Sequence, residues 1–131
     1  MNTRTKTVSF NASKHKVFTY LSNIENLPKW ATGFCKELKK VGSDYKVKTP
    51  DGEIYFWIQD DEKTGVMDMF GGPTKDQAAC WPARVIGLPD QTCVFIFTAL
   101  QLPGMPEEVF EMQCKSLDEE FENIRHAVEY M

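Results

Sequence analysis

Phe110, Cys114, Leu117, Phe121, Ile124 and Val128 recur at steps of 4, 3, 4, 3 and 4 residues, the spacing of a single apolar stripe along an α-helix. Pro106 suits the first turn of that helix, where its missing N–H is no loss. Glu107, Glu108 and Glu111 stand at the positive end of the helix dipole, and Arg125 and His126 stand near the negative end. From Pro106 to Tyr130 the helix spans about 37 Å, the width of a whole small domain. At 131 residues the chain has room for one domain, residues 1–131, and one core. Whatever else folds must therefore cover this stripe. Only about three heptads are available for a coiled-coil seam and the rest of the chain needs a cover, so the stripe is read as packing within the chain.

Upstream, the pattern changes. Lys6, Val8 and Phe10 alternate with Thr5, Thr7 and Ser9, the period of a half-buried strand at 3–10. Asn11-Ala12-Ser13 then supplies a helix cap, and Val17, Phe18 and Leu21 fall on one face of a short helix ending near Ser22. Ile24, Leu27 and Trp30, interrupted by Pro28, predict a second brief helical turn ending near Trp30. Turn signals at Gly42-Ser43-Asp44, Pro50-Asp51-Gly52, Lys63-Thr64-Gly65, Gly71-Gly72-Pro73 and Pro89-Asp90 punctuate about six further strands. These are placed at 34–41, 44–49, 53–60, 65–70, 79–87 and 92–100, an antiparallel meander with one long loop at 71–78. The resulting expectation is an α+β fold in which a curved antiparallel sheet of about seven strands grips the long C-terminal helix. The two short helices would plug one end, and a cavity would remain between sheet and helix.

The chain resembles the START-like superfamily, the polyketide cyclase/dehydrase and lipid-transport group that shares the helix-grip fold of birch-pollen-allergen-like proteins. The residues that carry the resemblance are Val17-Phe18-Thr19-Tyr20-Leu21-Ser22-Asn23 followed by Asn26-Leu27-Pro28-Lys29-Trp30, then Gly65-Val66-Met67-Asp68 and Ala83-Arg84-Val85-Ile86 before Leu88-Pro89-Asp90. Pro103-Gly104-Met105 leading into the helix with Leu117, Glu120 and Ile124 completes the pattern. The resemblance covers almost the whole chain. It implies a hydrophobic pocket for a lipid, polyketide, sterol or other apolar small molecule, sometimes with chemistry. It implies no particular catalytic residues, because fold membership does not settle activity.

Candidate ligand-binding residues are Trp30, Trp57, Trp81, Phe95, Phe97, Phe110 and Phe121, each of which serves either as cavity wall or as ordinary core. Asp68 and Arg84 stand out as ionisable groups within apolar strands that flank the 71–78 loop. Facing one cavity, Arg84 would offer a fork of donors to an oxyanion and Asp68 would orient it or act as a base; otherwise they are a structural pair or solvated groups. Tyr20 and Tyr55 are further polar groups able to orient a ligand. Parity along 53–60 and 92–100 makes both sheet faces apolar, where a solvated outer face should be polar, so a homodimer contact over these strands is expected.

Other function classes find little support. A net charge of −4 with three arginines lacks the positive field of a nucleic-acid binder. The longest apolar run, Cys93 to Ala99, is far too short to span a bilayer, and the start of the chain has no signal-peptide core, so no membrane insertion and a cytoplasmic location are expected. Cys35, Cys80, Cys93 and Cys114 form no C-x-x-C pair and read as free thiols. His15 and His126 have no partner at metal-ligand spacing, no G-x-S-x-G occurs, and Gly71-Gly72-Pro73 lacks the phosphate-loop Lys. No metal and no cofactor are expected. The leading reading is binding of a hydrophobic small molecule; a cyclase or dehydratase using the same cavity, or a protein-interaction module, are the alternatives.

Overall fold

A computed structural model describes residues 1–130. Its elements are β1 (Thr3–Phe10), α1 (Lys14–Ser22), a 3-10 turn (Ile24–Asn26), α2 (Leu27–Trp30), β2 (Glu37–Val41), β3 (Asp44–Thr49), β4 (Gly52–Asp61), β5 (Val66–Gly72), β6 (Ala79–Trp81), β7 (Ala83–Gly87), β8 (Cys93–Leu100) and α3 (Glu107–Glu129). The sheet is antiparallel throughout, in the order β1-β8-β7-β5-β4-β3-β2, with β6 pairing beside β5. Consecutive strands from β2 to β6 are neighbours, as short turns dictate, β7 pairs with β5 and β8, and β1 adds to the sheet beside β8. Among the described residues no helix is long and apolar enough to cross a membrane.

Local chemistry accounts for most boundaries. Ser13 caps α1 by accepting the Lys16 N–H at 3.1 Å, and Asn23 caps the 3-10 turn by accepting from Glu25 N–H at 3.1 Å. Asn26 Nδ2 donates to the Tyr20 carbonyl at 2.9 Å, folding the turn back on α1. Gly65 takes φ +81°, and its carbonyl accepts the Val85 N–H at 2.8 Å. A Cβ built there would overlap the Val85 carbonyl oxygen, so only glycine lets the β4–β5 turn reach β7 this closely.

Three boundaries differ from the sequence reading. The predicted strand at 79–87 is broken at Pro82, which has no N–H for the ladder; β6 pairs with β5 before it and β7 with β8 after it. Gly71 and Gly72, read as a turn, extend β5 and pair with Phe56 and Tyr55. Residues 31–36, where the pattern predicts strand from 34 onwards, instead form a tight strap, with Phe34 and Cys35 N–H bonded to the Ala31 carbonyl at 3.1 and 2.7 Å.

The core lies between the concave sheet face and α3. Alternation sends Cys93, Phe95, Phe97 and Ala99 of β8, Val85 of β7 and Met67 and Met69 of β5 inward, where all are buried. From α3 the whole predicted stripe arrives opposite them, with Phe121 meeting Phe95 edge-on at 5.7 Å. The apolar outer residues of the same strands (Val66, Phe70, Ile86, Val94, Ile96) are half-buried, whereas Arg84 beside them is exposed.

Candidate functional site

The helix covers the sheet unevenly. α3 packs mainly against β1 and β8 and against α1 and α2, and α1 reaches β5, β7 and β8, so the concave face of β3, β4 and β6 needs another cover. The strap of residues 31–36 supplies it. Phe34 reaches across from the strap, its ring centroid 5.6 Å from Phe56 of β4 and 6.1 Å, edge-on, from Trp81 of β6. Gly71 lies beneath: a Cβ there would come within 3.0 Å of both Trp81 and the Ile54 side chain, so the missing side chain makes room for the indole. Ile54 and Ile58 are half-buried beside this cluster. The result is an aromatic cluster, Phe34–Phe56–Trp81, on the concave side of β4 and β6, continuous with the core that holds Val47, Met67 and Met69.

Two α3 side chains, one turn apart, tie the strap to the helix. Glu120 Oε2 accepts the N–H groups of Gly33 at 3.1 Å and Phe34 at 3.2 Å. Asn123 Nδ2 donates to the Trp30 carbonyl at 3.1 Å and to Thr32 Oγ1 at 3.2 Å. Gly33 fits here because a Cβ would stand 3.1 Å from that of Ser116. Glu120 is only 5% exposed. Desolvation pushes its carboxyl up to about 7 although the two N–H bonds and the nearby Lys36 pull the other way. A carboxyl placed so deeply is the most perturbed acid in the chain, and such groups concentrate at functional sites.

The sequence-predicted residues separate into two sets. Trp30, Phe95, Phe97, Phe110, Phe121 and Trp81 lie on the concave side; the first five are core residues and Trp81, half-buried, packs against that core. Trp57, Tyr55, Asp68 and Arg84 stand on the convex side, because they alternate with the inward Ile54, Phe56, Met67, Met69, Ala83 and Val85. Of the two readings for Asp68 and Arg84, this parity fits outer-face groups and not a pair facing a cavity. Asp68 accepts the Ala83 N–H at 3.1 Å, and Arg84 Nη2 donates to the Thr64 carbonyl at 2.5 Å, so each holds backbone rather than the other side chain. Trp57 stacks on Phe70 at 5.3 Å with planes 3° apart, and Lys46 Nζ sits 4.7 Å over the Tyr55 ring. Tyr20 is half-buried, and burial raises its hydroxyl above the ordinary value.

Phe34 and Glu120 are the site residues that sequence reasoning missed. Glu120 carried a signal: it stands three residues after Leu117 and four before Ile124, on the inward edge of the stripe. Phe34 carried none, since strand and strap share the same apolar residues.

Two clefts open on the surface. One of about 420 Å³ lies between β1 and α3, where Arg4 makes a bidentate pair with Glu111 at 2.6 and 2.7 Å and Lys6 bonds Asp118 and the Cys114 carbonyl. Another of about 270 Å³ lies by Tyr45, Tyr55 and Trp57, with the Lys75–Asp44 pair, 2.7 Å apart, beside it. Among the described residues no three His, Cys, Asp or Glu side chains gather as metal ligands, and the four cysteines are free, with burial pushing Cys35 and Cys93 up to about 11.

No family model matches the sequence, and no curated protein matches it significantly. Solved structures do. A norcoclaurine synthase from Thalictrum flavum, in complex with dopamine and hydroxybenzaldehyde, is 14% identical with a TM-score of 0.72 over 98% of this chain and 87% of that one. The Aha1 dimer from Colwellia psychrerythraea is 16% identical with a TM-score of 0.70, covering 98% and 97%. A START superfamily protein from Mycobacterium smegmatis is 14% identical with a TM-score of 0.66, again over 98% and 97%. Identities this low speak to architecture alone. In element order, sheet topology and the long closing helix, this chain has the START-like helix-grip fold.

Proposed function

We propose that this protein binds a small, mainly apolar molecule, aromatic or lipid-like, in the concave space of the sheet, entering at the Phe34–Phe56–Trp81 mouth. The observation that carries this reading is that α3 packs mainly on β1 and β8, while Phe34 of a six-residue strap lies over Phe56 of β4 and Trp81 of β6. Displacing Phe34 would bare the Phe56 and Trp81 rings and the two methionines beneath, a surface suited to ring stacking and sulfur–aromatic contacts. Burying roughly 200 Å² of ligand surface contributes about 5 kcal/mol before association costs, which leaves an affinity in the millimolar range. The structural neighbour solved with dopamine and hydroxybenzaldehyde holds aromatic molecules on the same architecture. Four unpaired thiols suit a reducing compartment, in keeping with a cytoplasmic protein.

The test is native mass spectrometry of the purified chain against its denatured mass, with tryptophan fluorescence during titration with the uncharged probe N-phenyl-1-naphthylamine. A co-purified mass or saturable quenching, lost in Trp81→Ala, is the expected result. Neither signal at millimolar probe would refute the reading.

A second reading, self-association through the convex face, is favoured by the stacked Trp57–Phe70 pair and the half-buried Ile86, Val94 and Ile96. The Aha1 neighbour is a dimer. Light scattering at micromolar concentration should then give twice the 15.0 kDa chain mass, falling to the monomer in Trp57→Ser; a monomer in both excludes it.

A further inference from the structure

We propose that residues 31–36 are a gate over the concave space, latched to α3 by Glu120, and that ionisation of Glu120 releases the latch. The inference rests on the ligand reading above only for what the gate admits; the gate itself stands on geometry. The strap has one side on the helix and the other on the sheet. Its helix side is held by the Glu120 bonds to Gly33 and Phe34 and by the Asn123 bonds to Trp30 and Thr32. Its sheet side is the Phe34 ring against Phe56 and Trp81. Losing the helix-side bonds frees the same backbone that carries the plugging ring, so latch and plug move together.

The charge on Glu120 decides how firmly the latch holds. Protonated, the side chain still accepts both N–H groups through a neutral oxygen, and no charge is buried. Ionised, it makes stronger bonds but must sit almost dehydrated, and burial outweighs the bonds: the carboxyl rises to about 7. The other groups acting on it are Glu119 on its own helix, which repels it, and Lys36 on the strap, which attracts it. The Cys35 thiol beside it is held protonated, up to about 11, by burial first and by Glu120 in part. In the opened strap the carboxyl meets water and returns toward its ordinary 4.5. The closed state therefore holds the proton more tightly, and closure weakens as pH rises from about 4.5 through 7. Taken over pH 5 to 8, these two values raise the opening equilibrium roughly 70-fold.

Hydrogen exchange of the full chain, followed by mass spectrometry on peptides covering 31–36 and corrected for the intrinsic pH dependence of amide chemistry, reads this opening. Wild type should open roughly 70-fold more at pH 8 than at pH 5, and Glu120→Gln should be flat. Asn123→Ala should open more at every pH with the wild-type slope, which keeps the test decisive if Glu120→Gln folds poorly. A flat wild-type profile, or an unchanged slope in Glu120→Gln, overturns the gate. Uptake rates of N-phenyl-1-naphthylamine separate the two proposals: pH-dependent exchange without probe binding upholds the gate and removes the ligand reading. Saturable binding with pH-flat exchange does the reverse.

Discussion

Replacing Glu120 by Gln should make the protein more stable above neutral pH, although it removes a hydrogen-bonding carboxylate. Glutamine matches glutamate in shape and still offers an oxygen to the Gly33 and Phe34 N–H groups, 3.1 and 3.2 Å away in the wild type, but it is never charged. In the folded wild type, burial holds the carboxyl at about 7, against 4.5 when unfolded. An acid raised in the folded state contributes full stability below its unfolded value and loses it as pH rises through the folded one. Between pH 5 and 8 that loss is about 2.5 kcal/mol, since each tenfold change in proton affinity is worth about 1.4 kcal/mol. The assay is urea unfolding of both proteins at pH 5, 6, 7 and 8, reading only their difference so that every other titrating group cancels. The difference should move by about 2 to 3 kcal/mol in favour of Glu120→Gln across that range. A difference constant to within about 0.5 kcal/mol would show that the carboxylate is compensated in place, and would refute the desolvation argument.

Gly65→Ala should be among the most damaging single changes, costing about 3 kcal/mol or more, because it adds strain at φ +81° and drives a Cβ into the Val85 carbonyl; a melting temperature within about 2 °C of wild type would contradict this. Phe95→Ala should cost about 3–5 kcal/mol by denaturant unfolding, since its ring is fully buried against Phe97 and Phe121. Phe70→Ala on the convex face, where the ring is only half-buried, should cost less than Phe95→Ala; equal losses would show that the convex face is covered in solution.

How far the sequence could be read depended on whether the information was local. The α3 stripe, the Ser13 cap and the alternation of β8 are periodic or single-residue signals, and each produced the element expected from it. Pro82 carried a local signal too, which the unbroken strand expected at 79–87 passed over: a proline has no N–H for the ladder. The two-sided apolar strands raised the expectation of a partner over the convex face, where Ile86, Val94 and Ile96 are half-buried within the single chain and Gln59 and Arg84 are exposed.

What only the tertiary structure decided is which apolar face turned inward and what closed the part of the sheet that α3 leaves open. Moving a strand by one residue reverses all its side chains. Pairing of Gln59 with Asp68 and of Val66 with Arg84 therefore sent Asp68, Arg84 and Trp57 to the convex side, away from any ligand in the grip. Phe34, Trp81 and Glu120 are separated by 39 residues or more in the chain, and no periodicity links them. They meet because a strap too short to form a strand must span from helix to sheet. The periodic pattern determined that a sheet would grip a helix; long-range register determined which side chains face that helix, and Phe34 came to lie where the helix does not reach.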